Sequence, residues 1–392
     1  MQEENDGDWL TTKYDYNALN EITSVVDSES NTTTIGYDMA GRRTAIDNPD
    51  TGLVEYQYDP MNHLTRKTTP NLRAQGKSIS YQYYANQLTR VDYVDMPDVY
   101  FTYGKPGAAF NRAGRIEKIE SGDVKEEFNY GALGEVTEEK KSILVGTNWN
   151  TYTTHYVYDN LGRTRSIVFP DGEGVSYLYD QGGNVAVAYG EWDGKLEKYI
   201  KKIEYNELGQ RTKIEYGNNT TSTYTYDPVM KRLTNLKTVK DTAALPNLTL
   251  KSKTEDKGFT IPTIPSREGT VLQNITYNYD KAGNILERNN NGFMTTGTDA
   301  KSARQVYEYD DLNRLTDSRG TYKQGGAAIN TYTSKLSYSN IGNIMSKVQN
   351  NSGTDTGGSM IPIPDTTYDY TYEYGSHRPH AVTKVGDRKS VV

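Results

Sequence analysis

One seven-residue unit, Tyr-x-Tyr-Asp-x-x-Gly, constrains this chain more than any other feature, because it recurs along almost all of the 392 residues. Residues 156–162 form one copy and residues 277–283 another. Neighbouring copies lie about 20–30 residues apart, a spacing typical of stacked structural repeats in which each unit contacts mainly its neighbours. The repeat therefore predicts an extended array, which offers a surface or a container more readily than one catalytic site.

The paired tyrosines of each unit indicate a β-strand with one aromatic face. Tyr56 and Tyr58 flank the polar Gln57, and residues 307–309 repeat this pattern. Side chains alternate between the two faces of a strand, so both tyrosines point one way and the residue between them faces water. Tyrosine is the dominant large side chain, with 34 copies against 6 phenylalanines. Since aliphatic residues are few, a two-layer sandwich with a filled core is disfavoured.

The residues after each tyrosine pair predict a tight turn. An Asp, or an Asn or Ser in its place, follows the second tyrosine, and Gly or Asn stands three residues later. Asp, Asn and Ser favour the first position of a type I turn, whereas Gly and Asn tolerate the left-handed conformation at the fourth position. A type I turn followed by a left-handed residue is a common hairpin connection. We therefore predict an all-β fold, an extended antiparallel sheet of repeated β-hairpins.

We assign this signature a structural role in the strands and turns. Its residues include Tyr37, Asp38, Gly41, Tyr58, Asp59, Tyr158, Asp159, Gly162, Tyr179, Asp180, Gly183, Tyr279, Asp280, Gly283, Tyr309 and Asp310.

These units closely resemble the YD repeats of the RHS (rearrangement hotspot) family, over roughly residues 10–385. That family includes bacterial polymorphic-toxin and insecticidal-toxin subunits, wall-associated proteins and the extracellular part of animal teneurins. A second marker, Pro379-His380-Ala381-Val382-Thr383, is similar to the junction motif that precedes the last repeats and the core region in many bacterial members.

The resemblance implies a long sheet that spirals into a hollow shell, which in toxin members encloses a C-terminal effector. In many bacterial members a core region closes the shell and its paired aspartates release the effector; these aspartates match no residue of this chain. We therefore expect a shell or part of one, truncated after the junction motif. We also expect residues 368–372 to form an unpaired, self-associating edge.

Two segments interrupt the repeats of what we predict to be a single array, residues 1–392. Residues 240–273 hold three prolines among charged residues and indicate an inserted loop, and residues 350–366 indicate a second, Gly- and Pro-rich loop. Either segment is a surface excursion, or a plug or contact loop on the shell.

Composition and charge exclude several classes of partner. The net charge is −7 and the pI near 5.4, so nothing favours nucleic acid or an anionic membrane surface. No apolar run reaches the roughly 18 residues of a spanning helix, and the acidic start indicates no signal peptide. Cysteine is absent, which suits a secreted or a cytosolic protein. From the resemblance we expect the full-length protein to be secreted or to lie in the cell envelope.

No constellation in the sequence predicts catalysis, a cofactor or a metal site. The chain has four histidines, and Pro379 precedes His380 and breaks any helix that would align it with His377. Carboxylates of a glycosidase are a weak alternative, because the recurrent aspartates occupy turn positions. We predict a non-enzymatic protein without cofactors.

Two functions from different classes remain open. The first is a structural repeat shell that encloses or presents a C-terminal effector or a downstream core polypeptide. The second is a carbohydrate-binding or adhesion module that uses tyrosine ladders to grip cell-surface sugars. Tyrosine rings packed between neighbouring repeats favour the shell, whereas ladders open to solvent favour sugar binding.

Overall fold

Nearly all regular structure in the chain is β-strand. The computed structural model describes residues 2–5, 7–240, 270–292, 302–324, 328–355 and 358–387. Within these ranges the helical elements are α1 (Pro70–Ala74) and a 3-10 turn (Pro364–Thr366).

The strands follow one another closely along the described ranges. They are β1 (Gln2–Asn5), β2 (Asp8–Thr11), β3 (Lys13–Tyr16), β4 (Ile22–Val26), β5 (Thr32–Tyr37), β6 (Arg43–Asn48), β7 (Gly52–Tyr58), β8 (Leu64–Thr68), β9 (Ile79–Tyr84), β10 (Gln87–Asp92), β11 (Val99–Tyr103), β12 (Ile116–Ser121), β13 (Val124–Tyr130), β14 (Val136–Val145), β15 (Asn148–Tyr158), β16 (Thr164–Val168), β17 (Gly174–Tyr179), β18 (Val185–Trp192), β19 (Lys195–Tyr205), β20 (Arg211–Tyr216), β21 (Thr220–Tyr226), β22 (Leu233–Lys240), β23 (Thr270–Tyr279), β24 (Ile285–Asn290), β25 (Ser302–Tyr309), β26 (Leu315–Gln324), β27 (Ala328–Tyr338), β28 (Ile344–Thr354), β29 (Met360–Pro362), β30 (Tyr368–Gly375) and β31 (Arg378–Asp387).

Strands β3 to β31 form one antiparallel sheet in which chain order is also spatial order. Each strand pairs with the next along the chain, except that β29 is a short addition to β28, which also pairs with β30. Among the described strands, β3 pairs with β4 alone and β31 with β30 alone, so the sheet keeps two edges. Strands β1 and β2 form a separate ribbon. The predicted all-β class of repeated antiparallel hairpins is confirmed.

The sheet coils on itself, so that its last hairpins reach its first. Ser28 Oγ donates a hydrogen bond to the carbonyl oxygen of Asn340 at 3.3 Å, although 312 residues separate them. One turn of the resulting spiral therefore takes roughly the length of chain between these two residues. The spiral predicted from the resemblance is present.

The sheet has a single layer and almost no hydrophobic core. In the described part of the chain, the buried apolar residues are Leu10, Val91, Ala188, Ile214 and Ile275, each 3–8% exposed. A second layer would bury one whole face of every strand, and that is not observed. The strands must therefore be held by ladder hydrogen bonds and by contacts between neighbouring hairpins.

The repeat turns have the conformation that their sequence predicts. In one repeat, Gly162 N–H donates to the carbonyl of Asp159 at 3.0 Å, and Asp159 N–H donates to the carbonyl of Arg163 at 2.9 Å. Gly162 is left-handed with φ of 74°, and the strand register shifts between Val157 and Tyr158. This is a type I turn closed by a left-handed residue and a bulge. Left-handed residues in the same place of other repeats include Asn20, Gly41, Asn62, Gly183, Gly283 and Asn313.

Three sequence predictions about interruptions and edges need correction. Residues 350–354 belong to β28 and pair with β27, so the predicted loop 350–366 is wrong at its start, and its remainder includes β29 and the 3-10 turn. Lys240 pairs with Thr270, so both ends of the predicted loop 240–273 are strand. Residues 241–269 lie outside the described residues. Backbone pairing with a long neighbouring strand outweighs the local preference of Gly and Asn for turns.

The predicted sticky edge at residues 368–372 is also wrong. Strand β30 pairs with β28 on one side and with β31 on the other. The chain after residue 377 supplies the missing partner, and the last strand of the described sheet is β31.

We predict that Gly162→Val destabilises the fold by about 1–2 kcal/mol, the usual cost of a left-handed conformation for a residue with a Cβ. No atom lies within 4 Å of a Cβ built at Gly162, so the cost is conformational rather than steric crowding. Urea unfolding measures it, and Gly162→Asn should cost less.

Gly174→Val is the matched control for this substitution. Gly174 lies in β17 with ordinary backbone angles, and a Cβ there meets Glu191 Cβ at 3.7 Å, a normal contact. Equal losses of unfolding free energy for the two valine variants would contradict the turn assignment.

Candidate functional site: the turn edge and the seam of the spiral

The side chains of the signature aspartates form hydrogen bonds within their own turns. Asp159 Oδ1 accepts hydrogen bonds from the N–H groups of Leu161 (2.9 Å) and Arg163 (3.0 Å), and its Oδ2 accepts one from Arg163 Nε (2.7 Å). The aspartates Asp38, Asp59 and Asp310 repeat this arrangement. Each carboxylate satisfies backbone donors that the turn leaves unpaired.

The electrostatics of these carboxylates fit a structural role. The hydrogen bond from Arg163 holds the pKa of Asp159 below its usual value against the opposing effect of desolvation. The backbone N–H of His63 lowers the pKa of Asp59 in the same way. A general acid of a glycosidase needs a raised carboxyl pKa, so the shift runs opposite to that requirement.

The second tyrosine of the pair ties its repeat to the preceding one. Tyr58 OH donates to the carbonyl of Arg43 at 3.0 Å, and Tyr309 OH donates to the carbonyl of Ile285 at 3.0 Å. In every case the acceptor is a backbone carbonyl, and it lies at nearly the same number of residues after the preceding turn. The tyrosines that make this bond include Tyr37, Tyr58, Tyr130, Tyr179, Tyr205, Tyr226, Tyr279, Tyr309, Tyr338 and Tyr374.

Burial favours the protonated, donating form of the Tyr309 hydroxyl group. Desolvation raises the pKa of Tyr309 above its ordinary value, and the charge of Asp280 adds to the effect. Tyr56 and Tyr58 are half-buried while Gln57 between them is exposed, as the alternation predicts. The rings of this pair therefore pack within the sheet surface and do not stand free in solvent.

Sequence reasoning missed the residue that follows the left-handed position. Arg42, Arg163 and Arg314 bind the aspartate of their own turn through the guanidinium. The guanidinium carbons of Arg42 and Arg163 also lie over Tyr58 and Tyr179 of the next repeat, 4.9 and 4.3 Å from the ring centres. This cation–π contact couples neighbouring turns.

The same position forms hydrogen bonds to the next turn. Arg42 Nη1 donates to the carbonyl of Asp59 at 2.9 Å, and Arg314 Nη1 to that of Ser339 at 3.1 Å. The detectable signal was the recurrence of a polar side chain at this place. The residues there are Glu21, Arg42, His63, Arg115, Glu135, Arg163, Asn184, Gln210, Asn284, Arg314 and Asn343.

The junction motif closes the spiral. His380 N–H donates to Asp50 Oδ1 at 2.8 Å, and His380 Nδ1 lies 2.7 Å from Asp50 Oδ2, although 330 residues separate them. Asn343 Nδ2 donates to the carbonyl of Pro379 at 2.6 Å. Desolvation opposes a lower pKa of the Asp50 carboxyl, but the hydrogen bonds from His380 prevail and lower it.

The other residues of the motif continue β31. Val382 pairs with Tyr374 of β30, and Thr383 Oγ1 donates to the carbonyl of Glu373 at 2.9 Å. Ala381, which precedes them, is half-buried. The contact of this motif with the first hairpins is therefore made by its Pro-His end.

A cleft lies where the last hairpins of the coil meet its first hairpins. Its walls come from the first hairpins, with Val25 and Pro49, and from the late turns, with Leu312 and Ile341. We call this contact between the late turns and the first hairpins the seam. No local pattern in the sequence indicates the seam, because it joins residues that lie far apart in the chain.

The described residues offer no sign of a metal centre. Within them, no group of three or more His, Asp or Glu side chains is placed to hold an ion. No helix in the described ranges has the length and apolar character needed to cross a bilayer.

Comparison with known sequences finds one repeat family and two toxin subunits to which this chain is similar. The family model described as RHS Repeat matches residues 16–53 and 37–74. The chain is 23% identical over 314 residues to the toxin subunit YenC2 of Yersinia entomophaga, covering 78% of this chain and 26% of that protein. It is 24% identical over 172 residues to the toxin subunit YenC1 of the same organism, covering 43% of this chain and 16% of that protein. The chain thus spans about a quarter or less of these relatives.

Comparison with solved structures supports the fold alone, since identities are low. The chain is similar to a crystal structure of TcdB2-TccC3, with a TM-score of 0.75 and 17% identity. The match covers 97% of this chain and 20% of the chain in that structure. It is also similar to a structure of the Tc holotoxin pore of Photorhabdus luminescens, with a TM-score of 0.75 and 18% identity. That match covers 97% of this chain and 18% of the chain in that structure.

The turn aspartates predict a loss of stability in acid. Asp38, Asp59, Asp159 and Asp280 have folded-state pKa values below their ordinary one. The unfolded chain therefore binds more protons as the pH falls, and stability is lost progressively below about pH 5. Urea unfolding at a series of pH values should show a flat region near neutrality and a decline in acid.

Asn in place of the turn aspartate carries no charge and provides the control for this prediction. Asn occupies the same position natively in Asn17 and Asn206, where its Oδ1 accepts the same backbone N–H groups. Asp159→Asn together with Asp38→Asn should therefore reduce the acid-dependent loss. If the unfolding free energy of the double variant fell with pH as steeply as that of the unmodified chain, the assignment of the effect to these carboxylates would be contradicted.

The tyrosine hydroxyl bond predicts a cost for Tyr309→Phe of about 0.5–1.5 kcal/mol in unfolding free energy, the net value of one hydrogen bond. Tyr84→Phe is the control, because Tyr84 is 78% exposed at the end of β9. Equal behaviour of the two variants in urea unfolding would exclude the hydroxyl bond as a contribution to stability.

Proposed function

Since the chain is an RHS-type YD-repeat protein, we propose that it forms one coil of a non-enzymatic shell that encloses or presents another polypeptide. The observation that carries this proposal is the seam, because the contact of His380 with Asp50 joins the first and last hairpins of a coiled single-layer sheet. The match to toxin subunits is consistent with such a shell.

The hydrogen bonds that the signature side chains already form support a structural role for them. The carboxylate of Asp159 is bound by its own turn, and the hydroxyl of Tyr309 is bound by the preceding repeat. Groups engaged in this way are not free to bind a substrate. We propose that the signature residues act as strand and turn elements and take no part in chemistry.

We propose a polypeptide as the partner: a C-terminal effector or a downstream core segment. The chain spans only part of its relatives, so the enclosure belongs to a larger shell of which this coil is a section. We further propose that residues 1–392 are one array with residues 241–269 inserted between β22 and β23, and that the full-length protein acts outside the cytoplasm.

The packed tyrosines favour this shell over carbohydrate binding. A sugar-binding ladder presents open ring faces, whereas the ring of Tyr58 is half-buried and faces the guanidinium of Arg42. Binding of the chain to a polysaccharide, lost on Tyr58→Ala but kept on Tyr58→Phe, would favour the adhesion alternative.

Protection from protease tests the enclosure directly. In the full-length gene product, a cleavable reporter sequence C-terminal to residue 392 should be cut much more slowly than the same sequence as a free peptide. Asp50→Ala with His380→Ala should accelerate cleavage, because it removes the hydrogen-bonded pair at the seam.

The matched control removes a charged pair elsewhere. Asp95 lies 3.0 Å from Lys77 on the exposed surface, away from the seam, so Asp95→Ala should leave protection unchanged. A reporter that is cut in the unmodified protein as fast as the free peptide would contradict the enclosure.

A further inference from the structure

A pocket of about 340 Å³ lies on one face of the sheet, over strands β25 to β28. The strand register places its main side chains in two rows across these strands, because directly opposed residues point to the same face. One row is Ala303, Tyr322 and Asn330, and the other is Gln305, Tyr332 and Asn351. All of these residues lie within strands of this chain, so the pocket is a feature of the sheet face.

The ring of Tyr332 is fixed against the sheet in this pocket. A Cβ at Gly320, the residue of β26 opposite Tyr332, would collide with the ring, so the ring lies directly over the backbone there. Glycine within a strand permits such a close approach. Gln305 Nε2 donates a hydrogen bond to Tyr332 Oη at 3.3 Å, and Gln305 Oε1 accepts one from Arg288 Nη1 at 2.9 Å. Tyr332 is therefore held in place although it is outside the repeat signature.

Residues 360–367, which we call the strap, form the wall of the pocket on the β28 side. Ile363 N–H donates to the carbonyl of Asn351 at 2.9 Å, and Asn351 N–H donates to Thr367 Oγ1 at 3.1 Å. Ile363 also packs over Gly353, where a Cβ would meet Ile363 Cδ1 at 3.1 Å. These contacts hold the strap on β28 and place Ile363 and Thr366 in the wall. The Gly- and Pro-rich interruption of the repeats thus supplies one side of a binding pocket.

Polar groups in the pocket retain hydrogen-bonding capacity. The side-chain amide of Asn330 is exposed and forms no hydrogen bond with the described residues. Asn351 Nδ2 donates to the carbonyl of Thr366 at 3.2 Å, whereas Asn351 Oδ1 accepts no hydrogen bond in the described part of the chain. The hydroxyl of Tyr332 accepts from Gln305 and keeps its own hydrogen to donate. Donors and acceptors therefore stand beside an aromatic ring.

The charge of the pocket narrows the class of ligand. Among the described residues that line it, Arg304 is the charged one. Arg304 alternates with Ala303 and Gln305, so its side chain lies on the opposite face, where its Nε donates to Glu287 at 2.7 Å. A phosphate or carboxylate ligand needs cationic donors, which this face does not offer within the described lining. Aromatic rings beside neutral amides and hydroxyls instead match a sugar ring, whose C–H face stacks on an aromatic ring and whose hydroxyls bond to amides.

We propose that this pocket binds a neutral pyranose sugar. Its volume lies at the low end of the range for small-molecule sites, roughly 300–1,000 Å³, so it takes one sugar ring. The sugar stacks on Tyr332, and its hydroxyls bond to Asn330 and Asn351. The site is one pocket formed by non-signature residues and is separate from the ladder of signature tyrosines. The proposal holds whether or not the coil encloses another polypeptide.

Saturation-transfer difference NMR on the 392-residue chain tests the binding. Glucose, galactose, mannose and N-acetylglucosamine serve as separate probes, and at least one should bind saturably with a Kd in the millimolar range or below. N-acetylneuraminic acid should bind more weakly, because its carboxylate finds no cation in the pocket. Failure of all four neutral sugars to bind saturably overturns the proposal, as does a preference for the acidic sugar.

Substitutions in the pocket locate the binding. Tyr332→Ala should weaken the Kd about tenfold or more, because it removes the ring on which the sugar stacks. Asn330→Ala should also weaken it, and this exposed residue can be replaced without breaking a side-chain hydrogen bond of the described structure. An unchanged Kd in both variants overturns the proposal.

Tyr84→Ala is the matched control for these variants. Tyr84 is a tyrosine outside the pocket and is 78% exposed at the end of β9, so its loss should leave the Kd unchanged. Equal weakening by Tyr84→Ala and Tyr332→Ala would mean that sugars stack on exposed tyrosines in general, and the assignment to this pocket would fail.

Discussion

A sheet with one layer has no second layer against which to bury its side chains, and every other feature of this protein depends on that constraint. The buried apolar residues of the described chain are few and scattered, from Leu10 to Ile275. Stability therefore comes from contacts between neighbouring hairpins. The hydroxyl of Tyr309 bound to the preceding repeat and the guanidinium of Arg314 bound to the next turn provide two such contacts in a single repeat. Since each repeat contacts both neighbours, its stability depends on the interfaces that it forms with them.

The two edges of the ribbon are unequal, and different edges face each other at the seam. Turns on one edge are tight and tipped with apolar residues, whereas turns on the other edge vary in length and carry polar groups such as Asp50. When the sheet has curved through one turn, these edges meet at the seam. The hydrogen bonds of His380 to Asp50 and the half-buried Ile341 lie at that contact.

Much of the local structure was predictable from sequence. The spacing of Tyr158, Asp159 and Gly162 contains the strand alternation, the turn type and the left-handed residue, because these depend on neighbours within a few positions. The role of Arg163 was missed although its signal recurs, since its partner Tyr179 belongs to the next repeat. The pairing of residues 350–354 was missed because a long neighbouring strand outweighs local turn preference. The seam depends on the accumulated curvature of more than twenty strands, which no local pattern records.

The most direct test of the coiled single-layer sheet is a distance between its first and last hairpins in solution. Spin labels on Glu29→Cys and Asn340→Cys, in a chain without other cysteines, report that distance by double electron–electron resonance. The coil predicts one narrow, short distance, because residues 28 and 340 are in contact. An uncoiled ribbon would place more than twenty strands, about 4.8 Å apart, between the labels and separate them by roughly 100 Å. A distribution that is broad or lies beyond the short range would contradict the coil.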